Sequence, residues 1–426
     1  MKLGIRRKSL ALLLTLAFTS VAIEVAHADV YLWTSPSTLG ITGSVSTAIS
    51  NDGSTMLVGK SATGLWLSTD SGVNFSQISG SGISTTAKFF VAMSSDGQKM
   101  FAADAATTYV YVSTDRGSTW TQSAFGSIDT TTNVACISGN GNVMMTGSSG
   151  KKMYLSTDTG TSWAPLNDLG SGSWFGCALN TTGSKRIAMA NGGALKIWTE
   201  ASPTWTSTVG SVLFSRCLAA SADGSILAVG SISPKALYLS TNSGASFTQV
   251  YTVANNIYGC SMSSDGSKIL VGPVGNQIGI STDFGGTWAT ESSGPSRNWQ
   301  AIALSGNGRK VIGVPAGAES SYVGSLIEPT TISITSGNSA SLVYRAQNTL
   351  TATTNYPGKV TFYANGKKIG GCISVPTNSL VATCVYKPSI HGAVTISARV
   401  VPTDVTKGNV TSELFRTAII TRTNKR

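Results

Sequence analysis

The side chains that could do acid–base chemistry in this chain are few. Its 426 residues hold 19 acidic groups and two histidines, and beyond His27 the second histidine is His391, close to the C-terminus. A Ser-His-Asp or Cys-His apparatus in the long central region is therefore excluded, as are most zinc sites. No metal or cofactor is expected. Glycoside hydrolysis needs only a pair of carboxylates and stays open. Asp52, Asp96, Asp223 and Asp265 precede glycines in tight turns, and Asp70, Asp115, Asp158 and Asp283 sit in a second repeated turn. Asp104, Asp129, Asp168 and Glu319 fall in loops at the opposite ends of the strands. The first three are the carboxylates to consider if the chain cleaves glycosides; otherwise they are solvated loop residues. Gly53-Ser-Thr-Met-Leu-Val-Gly-Lys-Ser61 is one residue too long for a phosphate-binding loop and runs along a strand rather than into a helix.

Side chains suited to binding are more plentiful. Trp174, Phe214, Tyr258 and Trp299 stand where a loop enters a strand, with Arg216 and Arg297 beside two of them. Aromatic faces with a few polar partners suit sugar rings or extended peptides. The same aromatics could instead cap hydrophobic cores. Among the six cysteines, Cys372 and Cys384 flank Pro376-Thr-Asn378, so a hairpin there would set them opposite each other at disulfide distance. Cys136, Cys177, Cys217 and Cys260 lie 5, 6, 7 and 6 residues before turn glycines and read as buried free thiols.

The elements that position these residues repeat. Ser68-Thr-Asp-Ser-Gly-Val-Asn-Phe75 returns as Ser113–Trp120, Ser156–Trp163 and Ser281–Trp288, as Ser240–Phe247 with Asn242 for Asp, and in eroded form as Trp198–Trp205. Positions 70, 115, 158, 200, 242 and 283 recur every 41–45 residues. Between these copies run turns ending in Gly53, Gly97, Gly141, Gly183, Gly224, Gly266 and Gly308. Asn-Gly and Asp-Gly between alternating apolar residues mark hairpins. Each unit reads as four strands at the period of a propeller blade. Trp33 precedes Gly53 by 20 residues, the same spacing as Trp163 to Gly183. Val30–Thr34 is thus the last strand of a blade whose first three strands come at 299–327, and the ring has seven blades.

The Ser-x-Asp-x-Gly-x-Thr-Trp motif resembles the Asp-box, or BNR repeat, of the sialidase-like propeller superfamily, over about residues 30–327. That superfamily includes sialidases, xyloglucanases, sortilin-type receptors and photosystem II assembly factors. The resemblance implies that the box is a fold-maker on the turn between third and fourth strands, which makes Asp70, Asp115, Asp158, Asn242 and Asp283 structural. Sialidases also carry an Arg-Ile-Pro motif and an arginine triad. This chain lacks the first, and Arg216 and Arg297 are its only plausible loop-face arginines.

After Glu328-Pro329 the repeat stops. Pro357-Gly-Lys-Val-Thr-Phe-Tyr-Ala-Asn-Gly366 resembles bacterial Ig-like repeats, and short alternating strands suggest a β-sandwich over residues 329–426. At the other end, four basic residues precede an apolar run and Ala26-His27-Ala28, which reads as a secretory signal peptide over residues 1–28. Without it the net charge falls from +11 to +8, since four basic residues and Glu24 are removed. Apart from Lys151-Lys152, Lys367-Lys368 and the Arg422–Arg426 tail the cations are scattered, so nucleic acid is not an expected partner. The chain therefore reads as all-β: a seven-bladed propeller over 29–328, then an Ig-like sandwich. It is expected to be secreted or periplasmic, without a transmembrane segment in the mature part. Its expected role is binding or scaffolding, with a glycan or an extracellular peptide on the loop face at Trp174, Phe214, Arg216, Tyr258, Arg297 and Trp299. A glycosidase of the sialidase or xyloglucanase type is one alternative, and an assembly factor resembling the photosystem II propellers is another.

Overall fold

The computed structural model describes residues 30–327 apart from 41–42, 108, 125–131, 191–192, 194, 209–212 and 318, and residues 332–421 apart from 335–340 and 404–412. At 30, 44, 124, 148, 213–216, 341 and 413–421 the description is of the backbone alone. The expected signal peptide, Asp129, the Glu328-Pro329 junction and the Arg422–Arg426 tail lie outside the described residues.

Residues 44–77, 89–124, 132–165, 174–207 and 213–252 each form a four-stranded antiparallel sheet in chain order. Residues 257–290 form a sixth. The seventh takes three strands from 297–327 and its fourth from the other end of the described chain, with Val30 opposite Ile327 and Thr34 opposite Val323. Sequential strands of one blade pair through short turns, whereas the last blade is completed by pairing the two ends, which covers the edge of Tyr322–Ile327 and makes Val30–Thr34 the outer strand. This is a seven-bladed β-propeller, and the chain as described is all-β apart from two single-turn 3₁₀ helices. No helix among the described residues is long and apolar enough to cross a membrane.

The hydrophobic cores lie between blades. Leu57 and Leu65 of the first blade pack with Phe89, Val91 and Met100 of the second. The equivalent clusters follow round the ring, ending with Met56 and Val58 of the first blade against Ile312, Val314 and Val323 of the seventh. The aromatic that closes each eight-residue repeat joins the seam with the preceding blade, as Trp120 does beside Leu57 and Leu65.

The repeated turns are held by their own side chains. The Asp115 carboxylate accepts from the Ser113 hydroxyl at 2.8 Å, the Thr119 amide at 2.8 Å and the Thr119 hydroxyl at 2.6 Å. Asp70, Asp158 and Asp283 do the same with their own neighbours. Asn242 keeps the two acceptor contacts and donates its amide to Ser246 at 2.8 Å. In these five turns the residue before the glycine is also left-handed, for example Arg116 at φ 59° and Phe284 at φ 58°. The eroded copy instead forms a tight hairpin in which Thr199 faces Ser202.

The innermost turns are linked into a belt. Asn51 N donates to Ser95 O, Ser95 N to Gly139 O, Asn140 N to Thr181 O, Thr181 N to Ala222 O, Ala222 N to Ser264 O and Ser264 N to Gly306 O, all at 2.7–2.8 Å. Asn307 N returns to Asn51 O at 2.9 Å and closes the circle. A Cβ on Gly306 would lie 1.6 Å from Asn51 Oδ1, so a side chain there would displace the Asn51 amide where the belt closes.

Residues 332–421 form a three-stranded and a six-stranded sheet that share one core, including Ile334, Leu350, Phe362, Cys384, Ile396 and Val400. The expected bond between Cys372 and Cys384 is present, with Cα atoms 5.4 Å apart. It does not close a simple hairpin, because Val375–Pro376 pairs with Lys359 and Val360 rather than with Val381–Tyr386. Phe362 N donates to Cys372 O, so the bond ties one sheet to the other.

Two further disulfides correct the expectation of free thiols. Cys136 is bonded to Cys177 and Cys217 to Cys260, with Cα separations of 5.9 and 5.3 Å. Each bond joins the innermost strands of neighbouring blades. Those strands converge on the axis, so residues at the same register come within disulfide reach.

Candidate functional site

The strongest convergence of side chains lies on the axis at the loop end. A cavity of about 260 Å³ there is lined by residues from all seven innermost strands. Its wall carries Val45, Lys88, Phe90, Asn133, Phe175, Tyr258 and Gln300, together with the bonded cysteines 177, 217 and 260. A second cavity, of about 170 Å³, sits at the turn end, lined by Ile49, Met93, Ile137, Leu179, Met262 and Leu304 above the polar belt.

A backbone irregularity explains which residues reach the mouth. Trp174 pairs with Ala190 and Gly176 with Met189, so Phe175 is the extra residue of a bulge in the ladder. Val45, Asn133, Tyr258 and Gln300 are the extra residues of the same bulge in their blades. In the fifth blade the register shifts between Phe214 and Leu218. An extra residue in one strand re-aims the side chains on either side of it. Here the residue before the bulge turns into the blade seam and the bulged residue turns to the axis. The second blade has no bulge, and Phe90, from the regular strand Phe89–Met93, and Lys88, just before it, line the mouth. The Lys88 ammonium lies 5.0 Å from the Phe90 ring centre.

The expected binding residues separate accordingly. Trp174 and Trp299 are 2% and 0% exposed. Their indole nitrogens donate to Lys151 O and Asn276 O, each at 2.9 Å. Trp299 also lies against Gly272 and Gly313, where a Cβ would come within 2.7 Å of its side-chain atoms. Both tryptophans cap blade cores and offer no face to a ligand. Tyr258 is half-buried and stands at the mouth. The side chains of Phe214 and Arg216 lie outside the described residues. Arg297 is occupied away from the axis: it pairs with Glu319 at 3.3 Å and donates to the Tyr322 hydroxyl at 2.7 Å. The sequence does not single out Phe175, Gln300 and Asn133, since a bulge leaves no signature in residue type, nor Lys88, which precedes a regular strand.

Among the described residues the loop carboxylates do not assemble into a pair. Asp104 is the last residue of the strand Met100–Asp104, 2% exposed, and accepts from Ala106 N at 2.8 Å, so it is a buried strand-end residue rather than a solvated loop group. Asp168 is exposed in a short 3₁₀ turn. The box and turn aspartates are at the other end of the strands. Hydrogen bonds from the Ser162 hydroxyl and amide hold the Asp158 carboxyl down at about 2, and Ser221 and Ser225 hold Asp223 there too. Carboxylates so fixed serve their turns. Lys60 is 1% exposed and donates to Leu39 O, and burial pushes its pKa down. No group of metal-ligating side chains occurs among the described residues.

No family model and no curated protein matches the chain. Among solved structures, the fold is similar to that of YCF48 from Cyanidioschyzon merolae, at 16% identity and a TM-score of 0.55, over 70% of this chain and 98% of that one. A structure of YCF48 bound to D1 peptide is similar at 14% identity and 0.55, over 70% and 97%. These likenesses support the propeller fold.

Proposed function

We propose that the chain is an exported Asp-box propeller that holds an extended segment of a partner protein at the axial mouth, acting as a scaffold or assembly factor rather than as an enzyme. The observation that carries this reading is the set of bulges that aim one residue from several different blades at a single cavity. Asn133 and Gln300 offer amides able to donate to and accept from a peptide backbone. Phe90, Phe175 and Tyr258 offer apolar faces, and Lys88 offers a cation. A cavity of about 260 Å³ takes the tip of a chain rather than a folded domain. The fold likeness to a protein solved with a peptide bound supports a peptide over a glycan.

In this reading residues 1–28 are a signal peptide, 29–328 the propeller and 329–426 an Ig-like module. Two disulfides inside the propeller suit an oxidising compartment, in the periplasm or outside the cell.

The test is selection of peptides from a random displayed library against the mature chain, followed by titration with variants. Phe175→Ala combined with Tyr258→Ala should weaken a selected peptide at least tenfold while the melting temperature holds. A peptide whose affinity survives that pair, in a folded protein, places the site elsewhere. Turnover of fluorogenic glycosides by the same preparation would replace the reading with the glycosidase one.

A further inference from the structure

The positive charge of the mature chain is not shared between its parts. Residues 329–426 hold 11 basic residues against Asp404 and Glu413, a net charge of +9, whereas residues 29–328 hold 15 basic and 16 acidic residues, a net of −1. The sheet register then gathers part of this charge on one face. Val360 and Phe362 are fully buried, so Lys359, Thr361 and Tyr363 of the same strand point to the opposite, outer face. Across the ladder Arg399 stands opposite Thr361 and Val401 opposite Lys359, while Lys368 stands opposite Tyr363 on the other side. Lys359, Lys368 and Arg399 are all exposed, and Tyr363 is half-buried among them. Four residues of strand separate Lys359 from Tyr363, about 13 Å. Glu413 is the acidic residue in register with Arg399.

We propose that this outer sheet face docks an acidic polysaccharide, a linear glycan bearing carboxylate or sulfate groups. The ladder sets three cations on one face, one from each of three neighbouring strands, which suits a linear chain that carries several anions. Tyr363 sits between the cations, where a ring face can stack on a sugar. A nucleic acid would need several stacking aromatics along the track, and among the described side chains this face has one, Tyr363, with Phe415 in register beyond Ser397. A membrane surface would favour protruding large apolar groups, and among the described side chains the face offers one, Val401. The inference does not depend on the axial mouth, which belongs to a different part of the chain.

The experiment measures binding of the full mature chain to dextran sulfate and polygalacturonate, with neutral dextran, a single-stranded oligonucleotide and anionic phospholipid vesicles as comparisons. Retention on both acidic polymers, and none on neutral dextran, is expected. The triple variant Lys359→Gln, Lys368→Gln, Arg399→Gln should bind at least tenfold more weakly. The slope of log affinity against log salt should fall by about two to three, since roughly one counterion is released per neutralised contact. A companion variant, Lys359→Arg with Lys368→Arg, should bind as the parent does, which separates lost charge from lost fold. Lys88→Gln, at the axial mouth, should leave polymer binding unchanged. Unchanged binding by the triple variant overturns the proposal. So does preference for the vesicles or the oligonucleotide, or no binding to either polymer.

Discussion

Removing the Cys217–Cys260 disulfide gives the most direct measure of how the propeller is held together. The perturbation is Cys217→Ala with Cys260→Ala. The bond spans 43 residues, and closing a loop of that length stabilises by about 4 kcal/mol if the effect is restriction of the unfolded chain. A unit of roughly 300 residues unfolds with an entropy of about 0.6 kcal/mol/K, so the melting temperature should drop by about 6 °C. The same arithmetic for Cys136–Cys177, spanning 41 residues, gives nearly the same figure. For Cys372–Cys384, spanning 12, it gives about 3 kcal/mol. The assay is calorimetry of the parent and the double variant, with peptide mapping of unreduced protein to show the linkage. Alkylation of all four propeller cysteines without reductant would refute the pairing. A double variant melting within a degree of the parent would refute the energetics.

Other consequences can be tested in the same preparations. Trp174→Ala should cost about 3–5 kcal/mol of stability, because a buried ring is lost from a blade seam; Phe175→Ala, one residue along, should change binding and spare stability, and the reverse pattern in urea titrations would contradict the bulge argument. Deleting residues 29–35 exposes the edge of Tyr322–Ile327, so the melting temperature should fall strongly, and an unchanged value argues against closure. Asp158 is held at about 2 against an ordinary 3.8, so the unfolded chain binds its proton more tightly and the stabilisation is complete above about pH 4 and lost as pH falls towards 2. Asp158→Asn should therefore lower the melting temperature at pH 6, by an amount that shrinks across that window, and a constant difference would show that the carboxylate charge is not involved.

How much of this was legible in the sequence depended on whether a feature carried its own residue types. The closure of the ring did, because the spacing from Trp33 to Gly53 reproduces that from Trp163 to Gly183, and the structure pairs Val30 with Ile327 accordingly. The eight-residue turns did, through their Ser, Asp and Gly. The bulges did not: any side chain can occupy one, so the sequence leaves Trp174 open between a ligand face and a core cap and gives no sign of Phe175. The propeller disulfides were half visible. Four cysteines before successive turn glycines share a register, but only the approach of neighbouring strands at the axis turns that register into two bonds.

The hydrogen-bonded belt at the turn end carries a consequence for the order in which the molecule assembles and breathes. Each link joins turns about 42 residues apart, except the last, where Asn307 meets Asn51 across 256 residues of chain. Closing that interval costs roughly 1.6 kcal/mol more chain entropy than closing any other link. Strand Val30–Thr34 must find its partner across the same junction. Both covalent cross-links lie elsewhere, between the third and fourth and between the fifth and sixth blades. The junction of first and seventh blades is therefore the last to zip and the first to part. Hydrogen exchange should find the backbone amide of Asn307 less protected than those of the other links in the belt.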